Sequence, residues 1–262
     1  MFKREKAVYT PIPGILGIGD DYHIYEMTLW ERLAAAGIGV LAGVMVGYVF
    51  FNLWAVAVLL SVAGAVGMQK PFKNFLQKRR LKKLLLEFKD LLETLTASYS
   101  AGQTTVQAFA DARNDMEDLY GEQAYIVTEL TMINAGLLHN YNIEDLLLNF
   151  AQRSGLDDVD SFASVFEVCN RKGGNLKQIV TESRNVINDK IEIEMEIRTM
   201  VAASQNELNI MMVMPFIVML SMRGLGDTMT GNSLTNLIIK VVALGIFGAA
   251  YVVGRKLVDI KL

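Results

Sequence analysis

A long stretch of the sequence, residues 33–68, includes no Asp, Glu, Lys, Arg or His. As one helix, these 36 residues would be about 54 Å long, whereas the hydrocarbon core of a bilayer is about 30 Å thick. An aromatic cluster around a single Asn at residues 48–54 is typical of a turn at a membrane interface. The stretch therefore predicts a transmembrane hairpin over residues 30–70, with spans at about 30–50 and 53–70.

The C-terminal end repeats this plan with shorter apolar runs. Residues 208–222 are apolar apart from one Asn and one Ser, and a largely apolar run covers residues 234–254. The polar loop 223–233 separates them, and Lys240 lies near the loop end of the second run, where a long side chain reaches the interface. These features predict a second transmembrane hairpin over residues 207–254. The alternative is a pair of buried core helices.

Basic residues flank the predicted spans in three clusters. Seven lie between residues 70 and 83 with no acidic residue among them, and smaller clusters lie at residues 3–6 and 255–261. Such clusters stay in the cytoplasm, and all three share one side only if the number of spans is even. We therefore expect a multi-pass protein of the cytoplasmic (inner) membrane. Both termini, residues 1–29 and 255–262, are expected in the cytoplasm, without a cleaved signal peptide.

The segment between the hairpins, residues 71–206, has helical periodicity throughout, and no stretch alternates as a strand would. Thr104, Asn142 and Asn175 follow turn-forming residues and are expected to cap the helices that begin after them. The expected fold class is an all-α membrane protein in which two transmembrane helical hairpins flank a cytoplasmic bundle of about six helices. The predicted bundle helices cover about 72–101, 104–117, 122–138, 143–153, 158–171 and 175–206.

Charge is distributed unevenly along the cytoplasmic segment. Residues 84–169 contain 15 acidic and three basic residues, a balance of −12, whereas residues 70–83 carry +7. The anionic inner leaflet should repel such an acidic domain and attract only its basic root. The acidic surface could face a protein partner; the alternative is an ordinary solvated surface. Nucleic-acid binding is not expected, because acidic residues outnumber Lys plus Arg by 28 to 25.

Reactive groups are scarce in the predicted spans. Beyond Glu31 they contain no His, Asp, Glu or Cys, so neither a catalytic residue nor an ion relay is predicted. His23 and His139 have no partner at metal-ligand spacing, and Cys169 lies on an apolar stripe. We expect no catalytic, cofactor or metal site.

Small residues at four-residue spacing are the packing signal of the spans, because they let helix backbones approach closely. The candidates are Gly39, Gly43 and Gly47 in the first span, Ala63 and Gly67 in the second, and Gly245 and Ala249 in the fourth. Pro215, inside the third span, removes one backbone hydrogen bond and is expected to kink that helix.

Three segments of the cytoplasmic domain resemble a known family. They are residues 101–109, around Gly102, residues 143–153, and residues 166–180, which contain the Gly173-Gly174-Asn175-Leu176 turn. Together with the order of spans and the position of Pro215, they resemble the inner-membrane platform proteins of type II secretion and type IV pilus machines, which share the F domain. The likeness is greatest to the TadB and TadC proteins of tight-adherence (Tad/Flp) pili.

The resemblance implies a protein that performs no chemistry itself and couples a cytoplasmic ATPase to pilin subunits. Its implied partners are membrane lipids, the secretion or pilus ATPase, pilin subunits, and a second copy or a paralogous platform protein. The short external loops and the acidic domain depart from the family pattern. Two other classes stay open: a small transporter or channel subunit with a regulatory helical domain, and an intramembrane hydrolase, which would lack its usual His and Asp.

Overall fold

The computed structural model describes residues 11–17, 19–48 and 54–224, together with 242, 245–246, 248–250 and 252–254. Every regular element within these residues is a helix, which confirms the all-α prediction. The helices are α1 Leu29–Val46, α2 Trp54–Gly67, α3 Gln69–Ser100, α4 Thr105–Tyr120, α5 Tyr125–Leu138, α6 Ile143–Ser154, α7 Asp157–Lys172 and α8 Leu176–Gly224.

The ends of α7 follow from local electrostatics and backbone conformation. Three aspartates occupy its first turn, where the helix dipole is positive, and Arg171 and Lys172 occupy its last turn, where the dipole is negative. Gly173 then has a φ of 73°, the left-handed conformation that ends helices and that glycine adopts without steric cost. These are local signals, and α7 consequently lies within one residue of its predicted bounds.

The bounds of four bundle helices differ from the prediction by three residues or more. α3 begins at Gln69 rather than residue 72, and α5 begins at Tyr125 rather than residue 122. The other two end later than predicted. α4 continues to Tyr120 rather than residue 117, and α8 does not end at residue 206 but continues unbroken to Gly224. α8 therefore includes both the last predicted bundle helix and the predicted third span. No Gly or Pro interrupts α8 before Pro215, so nothing in the backbone ends the helix where the composition becomes apolar.

The bundle and the N-terminal segment form one compact unit, which comprises residues 11–26 and 74–191 of the described chain. Its core is continuous across α3, α4, α6 and α7. The rings of Phe88 and Phe162 are 5.5 Å apart at their centroids, and Phe162 is 5.6 Å from Phe166. Phe166 in turn lies 6.4 Å from Phe109. Aromatic pairs at such separations add to the stability gained by burying their area.

This partition differs from the predicted one, in which residues 1–29 form a segment of their own and the helical domain covers 71–206. Residues 11–26 pack against the bundle, where Tyr22 is only 1% exposed. Neither periodicity nor an apolar run marks this segment, because its backbone forms turns and irregular structure and only a few of its side chains are buried.

The second unit contains the described residues among 27–73 and 192–254. Within it, α1 and α2 pack against each other and run antiparallel. The predicted turn near residues 50–53, the loop from 225 onward, most of the fourth span and the termini 1–10 and 255–262 lie outside the described residues. So does Lys240.

Candidate functional site

The contact between α1 and α2 is made of small residues. The buried residues of α1 are Ala35, Gly39 and Gly43, and those of α2 are Ala57 and Ser61. The hydroxyl group of Ser61 donates a hydrogen bond of 2.8 Å to the carbonyl oxygen of its own helix at position 58, so it needs no partner across the contact. The two backbones can therefore approach closely.

The three predicted packing glycines of α1 all lie at this contact. The residues opposite them are Gly64 for Gly39, Leu60 and Ser61 for Gly43, and Ala57 for Gly47. A Cβ atom at any of these three glycines would overlap backbone atoms of α2, which cannot move as a flexible side chain can. Glycine is thus required at each position by the distance between the helices.

The facing surface of α2 is not the predicted one. Ala63 and Gly67 are exposed, and no atom lies within 4 Å of a Cβ built at Gly67. The contact surface consists of Ala57, Ser61 and Gly64. Because successive helical residues are about 100° apart, Ala63 lies about 200° around the helix from Ser61, on nearly the opposite side.

Large apolar side chains cover the outside of this helix pair. Leu33 is 63% exposed, Leu41 71%, Leu59 69% and Val66 68%. By length and composition, α1 and the helical stretch that begins at Trp54 can each cross a membrane. The pair is thus the reverse of a water-soluble helical hairpin, which buries its large apolar residues.

The last third of α8 has the same character. Ile210, Met211 and Ile217 are each more than half exposed, so the described residues of the second predicted hairpin do not form buried core helices. Pro215 lies inside the helix, which continues to Gly224. The kink expected at Pro215 stays a prediction.

A segment of turns and irregular backbone, residues 11–17 and 19–26, lies along the bundle, and we name it the N-terminal strap. The backbone amide of Tyr22 donates to the carbonyl oxygen of Arg153 at 3.0 Å. Two amide side chains of the bundle donate to strap carbonyl oxygens: Asn149 to Pro13 at 3.1 Å, and Gln77 to His23 at 2.8 Å. The strap is therefore held by α3 and α6 along most of its described length.

A buried ion pair lies beneath the strap. Arg153 of α6 and Glu129 of α5 are 3% and 0% exposed, and Nη1 of Arg153 donates to Oε1 of Glu129 at 2.9 Å while Nη2 bonds to Oε2. The hydroxyl group of Tyr22 donates to the same carboxylate at 3.0 Å, and Nη1 also donates to the carbonyl oxygen of Asp20 at 3.1 Å. Every charge is compensated, as a buried pair requires.

Burial dominates the acid–base behaviour of this cluster. Loss of solvent raises the pKa of Glu129 above its ordinary value, although Arg153 and the Tyr22 hydroxyl group act in the opposite direction. Burial also raises the pKa of Tyr22, and the negative charge of Glu129 adds to that shift. The hydrogen bonds of the cluster fix the strap to α5 and α6.

Arg80 of α3 lies at the edge of the same cluster. Its guanidinium carbon is 4.5 Å from the centroid of the Tyr22 ring and 5.0 Å from that of Tyr125. It also forms a 2.6 Å ion pair with the carboxylate of Asp20 in the strap. One cation of the basic run is thus used in cation–π and ionic contacts within the bundle.

A buried carboxylate from α3 caps α5. The N-cap position of α5 is Ala124, whose side chain cannot accept a hydrogen bond. Oε2 of Glu87 accepts from the amide of Ile126 at 3.0 Å instead, and Nζ of Lys83 lies 3.7 Å from Oε1. A negative charge at a helix N-terminus is stabilising, so this contact joins α3 to α5.

The turns quoted for the family resemblance have clear structural roles. Gly102 and Gly173 have φ values of 79° and 73° and end α3 and α7. A Cβ at Gly174 would overlap Sγ of the buried Cys169. Oδ1 of Asn175 accepts from the third amide of α8 at 3.2 Å, and Leu176 packs against the core.

The predicted caps at the other two helices differ from each other. The Thr104 hydroxyl group accepts from the amide of Gln107 at 3.4 Å, as expected. Asn142 occupies the N-cap position of α6, but its side chain bonds to the carboxylate of Asp145 rather than to a backbone amide.

Sequence reasoning missed Glu129, Arg153 and Tyr22. Glu129 is the only charged residue of α5, an otherwise apolar or uncharged helix, and a lone acid in such a setting signals a buried partner. Nothing in the sequence names that partner, because Tyr22 lies 107 residues away and Arg153 is in another helix. Among the described residues, no three His, Cys, Asp or Glu side chains gather in a group able to hold a metal ion.

The chain matches no protein-family model, and comparisons with curated proteins and with solved structures found no significant similarity.

Proposed function

We propose that the chain is a non-enzymatic platform protein of the cytoplasmic membrane, part of a Tad-type or type IV-like pilus or of a type II secretion machine. The observation that supports its membrane location is the inside-out composition of the α1–α2 pair. Glycine, alanine and serine lie at the helix contact, while leucine and valine cover the outside. In lipid those side chains contact acyl chains, and the small residues supply close packing.

The aromatic residues of the pair agree with this location. Trp30 is the second residue of α1 and is 80% exposed, and Trp54 is the first residue of α2 and is 76% exposed. Because the helices are antiparallel, these tryptophans lie at opposite ends of the pair, where the two membrane interfaces would be. We propose four spans in all, 30–50, 53–70 and the two of the segment 207–254, with the bundle and both termini in the cytoplasm.

Continuous helices would couple the bundle to the spans. α3 begins two residues after α2 ends, and α8 extends from the bundle core residues Val180 and Ile187 to the apolar residues beyond 208. A cytoplasmic ATPase that moves the bundle would act directly on the membrane helices, and pilin subunits in the bilayer would receive that motion. The acidic bundle surface is the proposed ATPase contact, and a second copy or a paralogue would pack against the membrane helices.

Gene deletion and matched variants test the proposal. Cells without the protein should lose surface pili or secretion, and the full-length protein should co-purify with the secretion ATPase. Gly43→Leu, which collides with α2, should fail to restore assembly, whereas Gly37→Leu should restore it, because nothing lies within 4 Å of a Cβ at Gly37. Normal pili in the deletion strain, or no ATPase in the purified complex, would refute the platform function. Solute flux through liposomes containing the purified protein would favour the transporter class instead.

A further inference from the structure

The outward surface of α3 combines cations with exposed apolar side chains. Phe75 is 61% exposed and Leu86 37% exposed. Lys78, Arg79 and Lys82 lie at helical spacing between them, and Lys78 and Arg79 are exposed. We name these five residues the basic face. They lie opposite the buried stripe of α3, since spacings of 3, 4, 7 and 11 residues keep them on one side of the helix.

This combination is unusual for a surface that faces only water. The outer side of a solvated helix is normally polar, yet an aromatic ring protrudes here among the cations. No acidic residue occurs between Gln69 and Leu86, so Lys78 and Arg79 have no carboxylate within one helical turn along α3. A helix that lies at a membrane interface has this pattern. Its cations bind lipid phosphate groups, and its aromatic side chain lies at the boundary between the headgroups and the acyl chains.

We propose that the basic face binds anionic phospholipid headgroups. This inference rests on the membrane location proposed above and adds a specific surface and lipid class to it. Charge complementarity favours the lipid, because the rest of the bundle carries a strong negative excess that an anionic surface repels. The position in the chain favours it too: Phe75 lies eight residues beyond the last residue of α2, so the basic face follows directly after a proposed span.

Arg80 provides an internal contrast. It belongs to the same basic run, but its guanidinium group is engaged by the rings of Tyr22 and Tyr125 and by Asp20. The cations of this run thus have two roles. Arg80 binds the strap, and the cations of the basic face bind the lipid headgroups.

Tryptophan quenching by brominated lipids tests the inference on the full-length protein in liposomes. Phe75→Trp is introduced together with Trp30→Phe and Trp54→Phe, which leaves one tryptophan, and the vesicles carry bromine on either phosphatidylglycerol or phosphatidylcholine chains. Brominated phosphatidylglycerol should quench this tryptophan about two-fold more strongly than brominated phosphatidylcholine. The ratio should fall to about one with Lys78→Gln and Arg79→Gln, and in about 1 M salt, where the Debye length is about 3 Å.

Two controls complete the experiment. Val106→Trp in the same background, on the exposed side of α4, should show no quenching by either lipid, and Arg171→Gln with Lys172→Gln should leave the ratio at position 75 unchanged. The inference fails if position 75 is not quenched, or is quenched equally by both lipids. It also fails if an oligonucleotide, rather than anionic lipid, changes its fluorescence. Quenching of Trp30 and Trp54 in the parent protein reports membrane insertion separately, so the two proposals can fail independently.

Discussion

The side chains of Arg153 and Glu129 face each other across α6 and α5 as a doubly hydrogen-bonded ion pair that solvent barely reaches. Glu129→Gln leaves the Arg153 charge buried without its counterion. Loss of one partner from such a pair costs about 3–5 kcal/mol, so the variant should unfold at far lower denaturant concentration than the parent. Chemical denaturation of the protein in detergent, followed by circular dichroism, measures this change.

A partly exposed ion pair is the control for that substitution. Arg113 and Glu117 pair within α4, each about one third exposed, and Glu117→Gln should cost less than about 0.5 kcal/mol. Replacing both buried partners, with Glu129→Leu and Arg153→Met, should recover much of the loss, because no buried charge then remains. Equal stability of the parent and Glu129→Gln would contradict the buried pair.

The close approach of α1 and α2 makes a second prediction. Gly43→Leu places a side chain where α2 backbone atoms already lie, and forced overpacking costs at least about 1–3 kcal/mol. Gly37→Leu lies on the same helix in open space and should change stability little. Thermal unfolding of the two variants in the same detergent compares them directly; similar melting temperatures would mean that the helices do not touch at Gly43.

The tyrosines predict an alkaline loss of stability. The pKa of Tyr22 is raised by burial and by Glu129, and that of Tyr120 is raised to about 12 by desolvation and by its hydrogen bond to Asp90. A folded-state pKa above the unfolded value of 10.0 means that the folded protein keeps a proton that the unfolded chain releases. The stability from Tyr22 is therefore fully present below pH 10 and is lost as the pH rises above it.

Tyr22→Phe should reduce the decrease in unfolding free energy above pH 10, because the variant has no phenol at the buried position. Unfolding free energies above pH 10, measured for both proteins, give the comparison, and phenolate absorbance follows the titration. If the two stability profiles fall in parallel, Tyr22 does not titrate as its burial requires.

Alanine variants at two glycines distinguish the effect of backbone strain from the effect of displacing the strap. Gly155 and Gly121 both have positive φ values, 63° and 84°, so alanine at either position is strained by about 1–3 kcal/mol. Only at Gly155 would the added Cβ meet the strap, 2.5 Å from Nε2 of His23. Limited proteolysis within residues 11–26 should therefore accelerate several-fold in Gly155→Ala and not in Gly121→Ala. The same cleavage rate in both variants would show that Gly155 does not support the strap.

Local signals allowed the helices of the bundle to be predicted, since caps, glycine stops and apolar spacing act within a few residues of one another. Gly173, with its αL conformation, and Thr104, with its capping hydroxyl group, are examples. The start of α5 has no such signal, because its cap is Glu87 from another helix. Such a contact follows only from tertiary packing.

The glycine ridge of α1 was also predictable, whereas its partner surface was not. Four-residue spacing identifies small residues that can pack, but α2 offers such residues on more than one side, and geometry selected Ala57, Ser61 and Gly64. The strap was missed for a different reason. A segment without regular secondary structure buries single side chains such as Tyr22, and its partners in the buried cluster, Glu129 and Arg153, occur more than 100 residues later in the sequence.

That separation in sequence sets an order of events during synthesis. The surface of the bundle that binds the strap is incomplete until Arg153 has been synthesised, 133 residues after Asp20. At roughly 5–20 residues per second, the ribosome needs on the order of 7–27 seconds to cover that distance. α1 and α2 are synthesised within this interval, so both helices of the pair are complete while the strap is still unbound. The earliest described part of the chain to leave the ribosome is thus among the last to reach its final contacts.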